Sequence, residues 1–315
     1  MEFLTALLRS MPGAMGQGLI WGIMAIGVYI TYRILDVADL TVDGSLATGG
    51  AVCVLLTVNG CNVWVALVIA VLAGMLAGLV TGLFHTFCGI PAILAGILTQ
   101  LALYSINLRI MGWGTDAGTK ASLAVSVNDY PLLVSSRYIR DLTLENPLFL
   151  LVIFVAVVIA LLYWFFGTEL GSALRATGAN QSMARAQGIN TNVTKVLGLM
   201  ISNGLVALSG ALLAQYQGSS TIDMGRGAIV IGLAAVIIGE VIFSQIFRNF
   251  ALKLLAAIIG SIIYYIVLQF VLRLGLDTND LKLLTALVVA IFLAVPYWKG
   301  RYFTKTVRKE GSRNA

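Results

Sequence analysis

The stretch Pro147-Leu-Phe-Leu-Leu-Val-Ile-Phe-Val-Ala-Val-Val-Ile-Ala-Leu-Leu-Tyr-Trp-Phe-Phe166 decides the class of fold. It holds no charge and no glycine. A helix needs ~20 largely apolar residues to cross the hydrocarbon core of a bilayer, and this segment supplies them. Tyr163 and Trp164 sit near its end, where amphipathic rings settle at the membrane–water interface.

The rest of the chain has the same character. Of 315 residues, 59% are hydrophobic and 11% charged. Soluble domains run nearer 45–50% apolar and about 25% charged. So much apolar surface cannot be hidden in one water-soluble core, so lipid must be the solvent for much of it. The 33 glycines suit membrane helices, whose backbones approach closely where side chains are small. The net charge of +6 is carried by short stretches between apolar runs, a topology signal rather than a nucleic-acid one. Cys53, Cys61 and Cys88 form no CxxC pair and read as packing residues, with a Cys53–Cys61 disulfide the less favoured reading. No basic n-region or cleavage site marks a signal peptide. Glu2–Met11 fits a short interfacial helix with Phe3, Leu4, Leu7 and Leu8 on one face. Met1 suggests a complete chain.

Further spans are expected at Pro12–Tyr32, Val63–Phe84, Pro91–Ile110, Val193–Tyr216, Ile229–Phe243, Leu254–Leu272 and Leu281–Val295. Leu46–Val58 is apolar but short, and it follows Asp36, Asp39 and Asp43. Leu35–Val58 therefore reads as a broken or re-entrant element, tolerated at depth only where protein or a water-filled cavity surrounds it. The expected fold is one all-α polytopic membrane domain over residues 1–315, with eight to nine transmembrane helices including that broken element.

Charge orients it. Gly167–Lys195 carries Arg175, Arg185 and Lys195 against Glu169. Ser244–Lys253 carries Arg248 and Lys253, and the tail Lys299–Ala315 is strongly basic. By the positive-inside rule all three are cytoplasmic, with the C-terminus inside and residues 112–146 outside. That outer loop holds Asp116, Lys120, Asp129, Arg137, Arg140, Asp141 and Glu145. Counting back places the N-terminus outside. A faint repeat accompanies this count: the shift that carries Gly16 onto Gly198 also carries Gly22 onto Gly204 and Gly50 onto Gly232. Each copy runs from a glycine-containing span into a polar break, at 37–44 and 219–226, and the two copies should run in opposite directions. Substrate routes in such inverted repeats lie near the midplane, at the broken helices.

The stretch after the decisive span, residues 167–190, is too polar to cross a bilayer. Gly171, Gly178 and Gly188 punctuate it, and two short helices fit the pattern. Its arginines suit docking to a soluble partner. A solvated loop that anchors lipid headgroups explains them equally well.

The loop also resembles the cytoplasmic coupling loop of the branched-chain amino acid and ribose permease family of ABC importers. That pattern is roughly G-x-x-x-R-A-x-G-x-N-x-x-A-A-x-x-x-G-I-N. Gly171, Arg175, Ala176, Gly178, Asn180, Ala184, Gly188, Ile189 and Asn190 match it in order. The continuation from Ser202 to Gly218 is similar to the family's next span, and Gly22–Gly50 to its first span plus broken helix. Where branched-chain permeases tend to have Leu-Gly-Gly-Ile-Gly, this chain has Val236-Ile-Ile-Gly-Glu-Val-Ile-Phe243. That variant resembles a less characterised branch associated with aromatic (tryptophan or tyrosine) uptake. The resemblance implies a permease subunit, not itself an enzyme, in the bacterial inner membrane. It implies a homodimer, two ATPase subunits at the coupling loops and an external solute-binding protein or lipoprotein. The chain has no GxxxxGK[ST] phosphate loop, so ATP and Mg belong on the separate ATPase and this chain needs no cofactor. The implied coupling residues are Glu169, Gly171, Arg175, Gly178, Asn180, Ala184, Arg185 and Gly188.

Polar residues in or beside spans are the pathway candidates, because lipid penalises them. They are Asp39, Thr41 and Asp43 at the first break, Asp223 at the second, Gln100 and Asn107 on one helix face, and Asn203. Hydrogen bonding between helices explains the amides, and helix capping explains the aspartates, with Asp43 placed to cap the run that starts at Gly44. Glu240 has Arg248 or the ATPase as partners, or is a plain interfacial charge. His85 is the sole histidine and builds neither a metal site nor a triad. A secondary transporter or channel working without an ATPase is the competing reading, and an intramembrane enzyme has no supporting motif.

Overall fold

Apolar runs without internal prolines close their own backbone hydrogen bonds as helices, the one open structure that lipid accepts. The computed structural model describes residues 2–126, 129, 130, 132–136, 146–243 and 249–273, and helical positions 283, 286, 287, 289–291 and 294, with side chains from residue 10 onward. The basic tail from Lys299, most of the expected span Leu281–Val295, Arg248, and the loop charges Arg137, Arg140, Asp141 and Glu145 lie outside the described residues.

The order is α1 (Glu2–Tyr29), a π-helical turn (Ile30–Ile34), α2 (Val42–Val58), α3 (Val63–Thr86), α4 (Ala92–Met111) and β1 (Ser122–Ala124). It continues with α5 (Pro147–Gly167), α6 (Glu169–Ala179), α7 (Gln181–Ala186), α8 (Thr191–Gln217), β2 (Ser219–Thr221), α9 (Ala228–Phe243) and α10 (Phe250–Arg273). Among the described residues, six stretches are long and apolar enough to cross a membrane: Ser10–Ile34, α3, α4, α5, α8 and Phe250–Leu272. The apolar helices α2 and α9 are shorter. The protein is thus a mostly helical, polytopic membrane protein. Glu2–Met11 is not a separate interfacial helix, because α1 runs unbroken through Pro12.

The helix ends follow local chemistry. Asn62, Asn146, Thr168, Asn180 and Asn190 each cap the following helix by accepting a backbone N–H. Gly218 ends α8 with a φ of 74°, a left-handed conformation that glycine takes without strain.

α8 is the central helix, and glycines set its contacts. A Cβ on Gly74 or Gly78 of α3 would collide with the α8 backbone at Asn203 and Leu199, and one on Gly49 of α2 with that at Ala207. The α3 pairings make it antiparallel to α8, whereas the bonds of Ser45 with Asn203 and of Cys53 with Gln215 make α2 parallel to it. α1 is antiparallel too: Ser202 Oγ donates to Gly27 O at 2.8 Å and Ser209 Oγ to Ile20 O at 2.8 Å. These two bonds exchange under the shift that carries Gly16 onto Gly198. The contact of Gly50 with Gly210 likewise exchanges with that of Gly232 with Val28. The antiparallel α1 and α8 have the relation that an inverted repeat requires.

Among the described residues, two short strands accompany the helices. β1 and β2 pair antiparallel, Leu123 opposite Ser220, so the loop after α4 is laced onto the break after α8. Val125 N donates to Gly218 O at 2.9 Å, and Leu133 N to Gln215 Oε1 at 3.2 Å. Cys53, Cys61 and Cys88 are free thiols, so no Cys53–Cys61 disulfide forms.

Candidate functional site

The two breaks meet beside α8. After the π-helical turn, Asp36 takes a φ of 55° and reverses the chain. Asp39 follows in the turn, 3% exposed. Its Oδ1 accepts Thr41 N at 2.9 Å, and its Oδ2 accepts Asn203 Nδ2 at 2.7 Å. Asn203 also donates to Leu199 O at 3.0 Å and accepts Ser45 Oγ at 2.6 Å. The amide therefore has partners at both ends inside the protein. Thr41 Oγ1 lies 2.7 Å from Thr81 Oγ1, which donates to Thr99 Oγ1 at 2.9 Å. This buried chain of hydroxyls ties the start of α2 to α3 and α4.

Asp43 caps a helix, but not its own. It lies inside the first turn of α2, whose N-cap Thr41 makes no side-chain cap bond. Its oxygens accept Gly227 N and Ile229 N, both at 3.0 Å, at the start of α9. The carboxylate faces the positive end of the α9 dipole. Gly225 makes this approach possible, since a Cβ there would collide with the Asp43 carbonyl.

Gln100 and Asn107 share a face of α4, as their spacing requires, and with Asp43 they line a cavity of about 140 Å³. Gly44, Ala47, Leu101, Tyr104, Ile222 and Arg226 complete it. Asp223 is exposed and pairs with Arg226 at 2.9 Å. Arg226, Ser45, Thr81 and Thr99 belong to these clusters, and the sequence reading did not single them out. The threonines carry a sequence signal, a hydroxyl inside an apolar span.

At the other end of α8, α6 and α7 form the two expected short helices. Several of the motif residues hold the loop to its own chain. Gly171 packs on the backbone of Phe165 and Phe166, and Gly178 on Ile34 O, where any Cβ would clash. Ala184 is buried. Asn180 Oδ1 accepts Met183 N at 3.1 Å, and Gly188 turns with a φ of 80°. Arg175 donates from a terminal nitrogen to Phe166 O and lies 5.8 Å from the Phe250 ring centroid. Arg185 Nε donates to Thr191 Oγ1 at 2.8 Å. Glu169, Arg175, Asn180, Arg185 and Gly188 are exposed, with Leu170 and Met183 presenting apolar surface among them.

A hollow of about 400 Å³ opens beside α6, lined by Tyr29, Arg33, Arg175, Phe250 and Lys253 among others. Glu240 pairs with Arg33 at 3.0 Å. His85 Nδ1 sits 2.9 Å from Ile90 O, and Lys195 Nζ 3.5 Å from its Nε2. Among the described residues, no cluster of His, Cys, Asp and Glu could hold a metal ion.

The profile described as branched-chain amino acid transport system / permease component matches residues 10–295. The tyrosine transport system permease protein of Clostridioides difficile (strain R20291) is 42% identical over 280 residues, 89% of each chain. An uncharacterized protein of Rickettsia prowazekii (strain Madrid E) is 37% identical over 283 residues, 89% of this chain and 95% of that one. The ribose import permease protein of Escherichia coli (strain K12) is more distant, 26% identical over 217 residues, 69% of this chain and 64% of that one. With the profile spanning nearly the whole chain, the protein belongs to the branched-chain amino acid transport system permease component family.

Proposed function

We propose that the chain forms the translocation pathway of an ATP-driven importer for an amino acid, with an aromatic amino acid such as tyrosine as the solute. One observation carries the reading: the family match over residues 10–295, joined to 42% identity with a relative named a tyrosine transport permease. Identity falls to 26% for the ribose permease, which favours the amino acid over the sugar.

In this reading ATP, with its Mg, is hydrolysed on separate ATPase chains that dock at the α6–α7 end. Exposed Leu170 and Met183 offer adaptable apolar contact, and Arg175 and Arg185 reach acidic or carbonyl groups. Arg175, Arg185 and Lys195 make this end cytoplasmic in a bacterial inner membrane, with the N-terminus outside and the tail from Lys299 inside. Residues 112–146 then face outward, toward a solute-binding protein. Two permease chains pair around the pathway. Residues 1–111 and 191–295 act as inverted halves, bringing the count to eight or nine spanning elements with α2 and α9 as the broken ones. Rocking of one half against the other moves the two breaks, where Asp39, Thr41, Asp43 and Asp223 stand.

The test is affinity purification of the full chain from gentle detergent, with identification of what accompanies it. A near-stoichiometric ATPase and ATP-dependent uptake of L-tyrosine into vesicles are expected. A chain that purifies alone and moves a solute under an ion gradient without ATP overturns the reading in favour of a secondary transporter.

A further inference from the structure

The cavity between α2, α4 and the second break contains a side chain that folding alone does not reward. Asn107 is 1% exposed, yet its Oδ1 has no hydrogen-bond partner. Its Nδ2 reaches Gly44 O only at 3.5 Å, the outer limit of a hydrogen bond. A buried amide left so poorly satisfied costs stability, and a leucine at this place in an apolar helix would not. The amide lines the cavity together with Gln100.

The cavity walls carry opposite charges. Asp43 stands on α2 and Arg226 in the second break. The Asp43 carboxylate faces the backbone N–H groups of Gly227, Ala228 and Ile229, and with about four lone-pair sites it keeps capacity for one more donor. Asp223 takes the Nε of Arg226, so the guanidinium keeps its other donors. The cavity measures about 140 Å³. A single water needs roughly 10–15 Å³ on this kind of measure, so the space admits a group of several heavy atoms.

We propose that this cavity binds the α-amino-carboxylate head group of an amino acid. The ammonium donates to the Asp43 carboxylate and to Asn107 Oδ1. The carboxylate accepts from Arg226 and from the Gln100 amide, and the side chain leaves past Leu101 and Tyr104. The inference rests on the amino-acid import reading and narrows it to one site. A zwitterion entering a membrane protein loses the hydration of both charges and needs an opposite charge or hydrogen bond for each. A site built that way disfavours a molecule lacking either group: without the ammonium the buried Asn107 Oδ1 stays unpaired, and without the carboxylate the exposed Arg226 and the half-buried Gln100 lose a partner.

The test uses the full chain purified with its ATPase in lipid nanodiscs and radiolabelled L-tyrosine as the probe. Saturable binding is expected, competed by unlabelled L-tyrosine. Tyramine, which lacks the carboxylate, and 3-(4-hydroxyphenyl)propionate, which lacks the ammonium, should each compete at least about tenfold more weakly. Asn107→Leu and Arg226→Gln should each weaken binding about tenfold. Asn107→Leu should at the same time raise the thermal midpoint of the ligand-free complex, a direction opposite to a folding defect. Equal competition by the three compounds overturns the site. Full affinity in both variants overturns it too, as does an absence of saturable binding while vesicle uptake proceeds. In each of these cases the ATPase still co-purifies, whereas failure of the importer reading removes the ATPase and ATP-dependent uptake together.

Discussion

Asn203 Nδ2 donates to Asp39 Oδ2 over 2.7 Å, and this bond joins the first break to the central helix. Both residues are nearly or fully buried. A carboxylate at this depth is tolerated only when its oxygens are bonded, and the Asn203 amide and the Thr41 N–H provide those bonds.

Asn203→Leu removes a donor from Asp39 and an acceptor from Ser45. The expected loss is about 1–3 kcal/mol of stability, the cost of leaving buried polar groups unmade. Thermal melting of the purified protein checks it. Combining it with Asp39→Leu should cost less than the two single losses added, because the second change removes the stranded carboxylate.

Asp43→Ala uncaps α9 rather than α2. The expected cost is about 1 kcal/mol, with Asp43→Asn losing less because it still accepts a hydrogen bond. Hydrogen exchange separates the two helices: protection should fall at Gly227 and Ile229, whose N–H groups the carboxylate accepts, and hold at the start of α2.

Gly49→Val should be severe. A Cβ at Gly49 would meet the backbone of Ala207, which has no rotamer to yield. Overpacking of that kind costs about 1–3 kcal/mol or more. Gly167→Ala is the control, since a Cβ there meets nothing within 4 Å. It should change stability by less than about 0.5 kcal/mol, as surface substitutions do. Yield and melting midpoint of the two variants measure the contrast.

Arg33 and Glu240 are 60% and 34% exposed. An exposed pair contributes about 0.2–1 kcal/mol, so Arg33→Ala should lower stability little, and less still at high salt. A large loss measured by melting at low salt would mean that the pair holds the π-helical turn to the end of α9.

Arg175→Glu tests docking. Its bond to Phe166 O and its position over Phe250 are at an exposed site, so the fold should lose only about 1 kcal/mol. Co-purification of the ATPase should drop sharply. Normal co-purification and uptake would leave Arg175 with the task of pinning α6 to the end of α5.

Segment identity was legible because it is a local property. Pro147–Phe166 meets the bilayer's length and hydrophobicity requirement without help from any other residue, and α5 has almost those bounds. Val193–Tyr216 and Leu254–Leu272 fall inside α8 and α10 for the same reason. The break near Asp39 was legible as charge beside a short apolar run, and the two short helices after α5 as glycine punctuation. The partners across the fold were not. Asp43 reads locally as a cap for α2, yet its carboxylate meets α9 because the two breaks pack together. Glu240 pairs with Arg33, which lies far from it along the chain. Gln100 and Asn107 share a face by helix period, but the opposite charge of Arg226 reaches that face only through the path of the second break. The sequence by itself determined which segments are apolar enough for lipid and where polar residues interrupt them, because transfer from water to lipid is summed residue by residue along the chain. Only the tertiary structure decided which polar groups satisfy one another, because a buried charge or amide takes its partner from whatever backbone the packing of α8 against α1, α2 and α3 brings within about 3 Å.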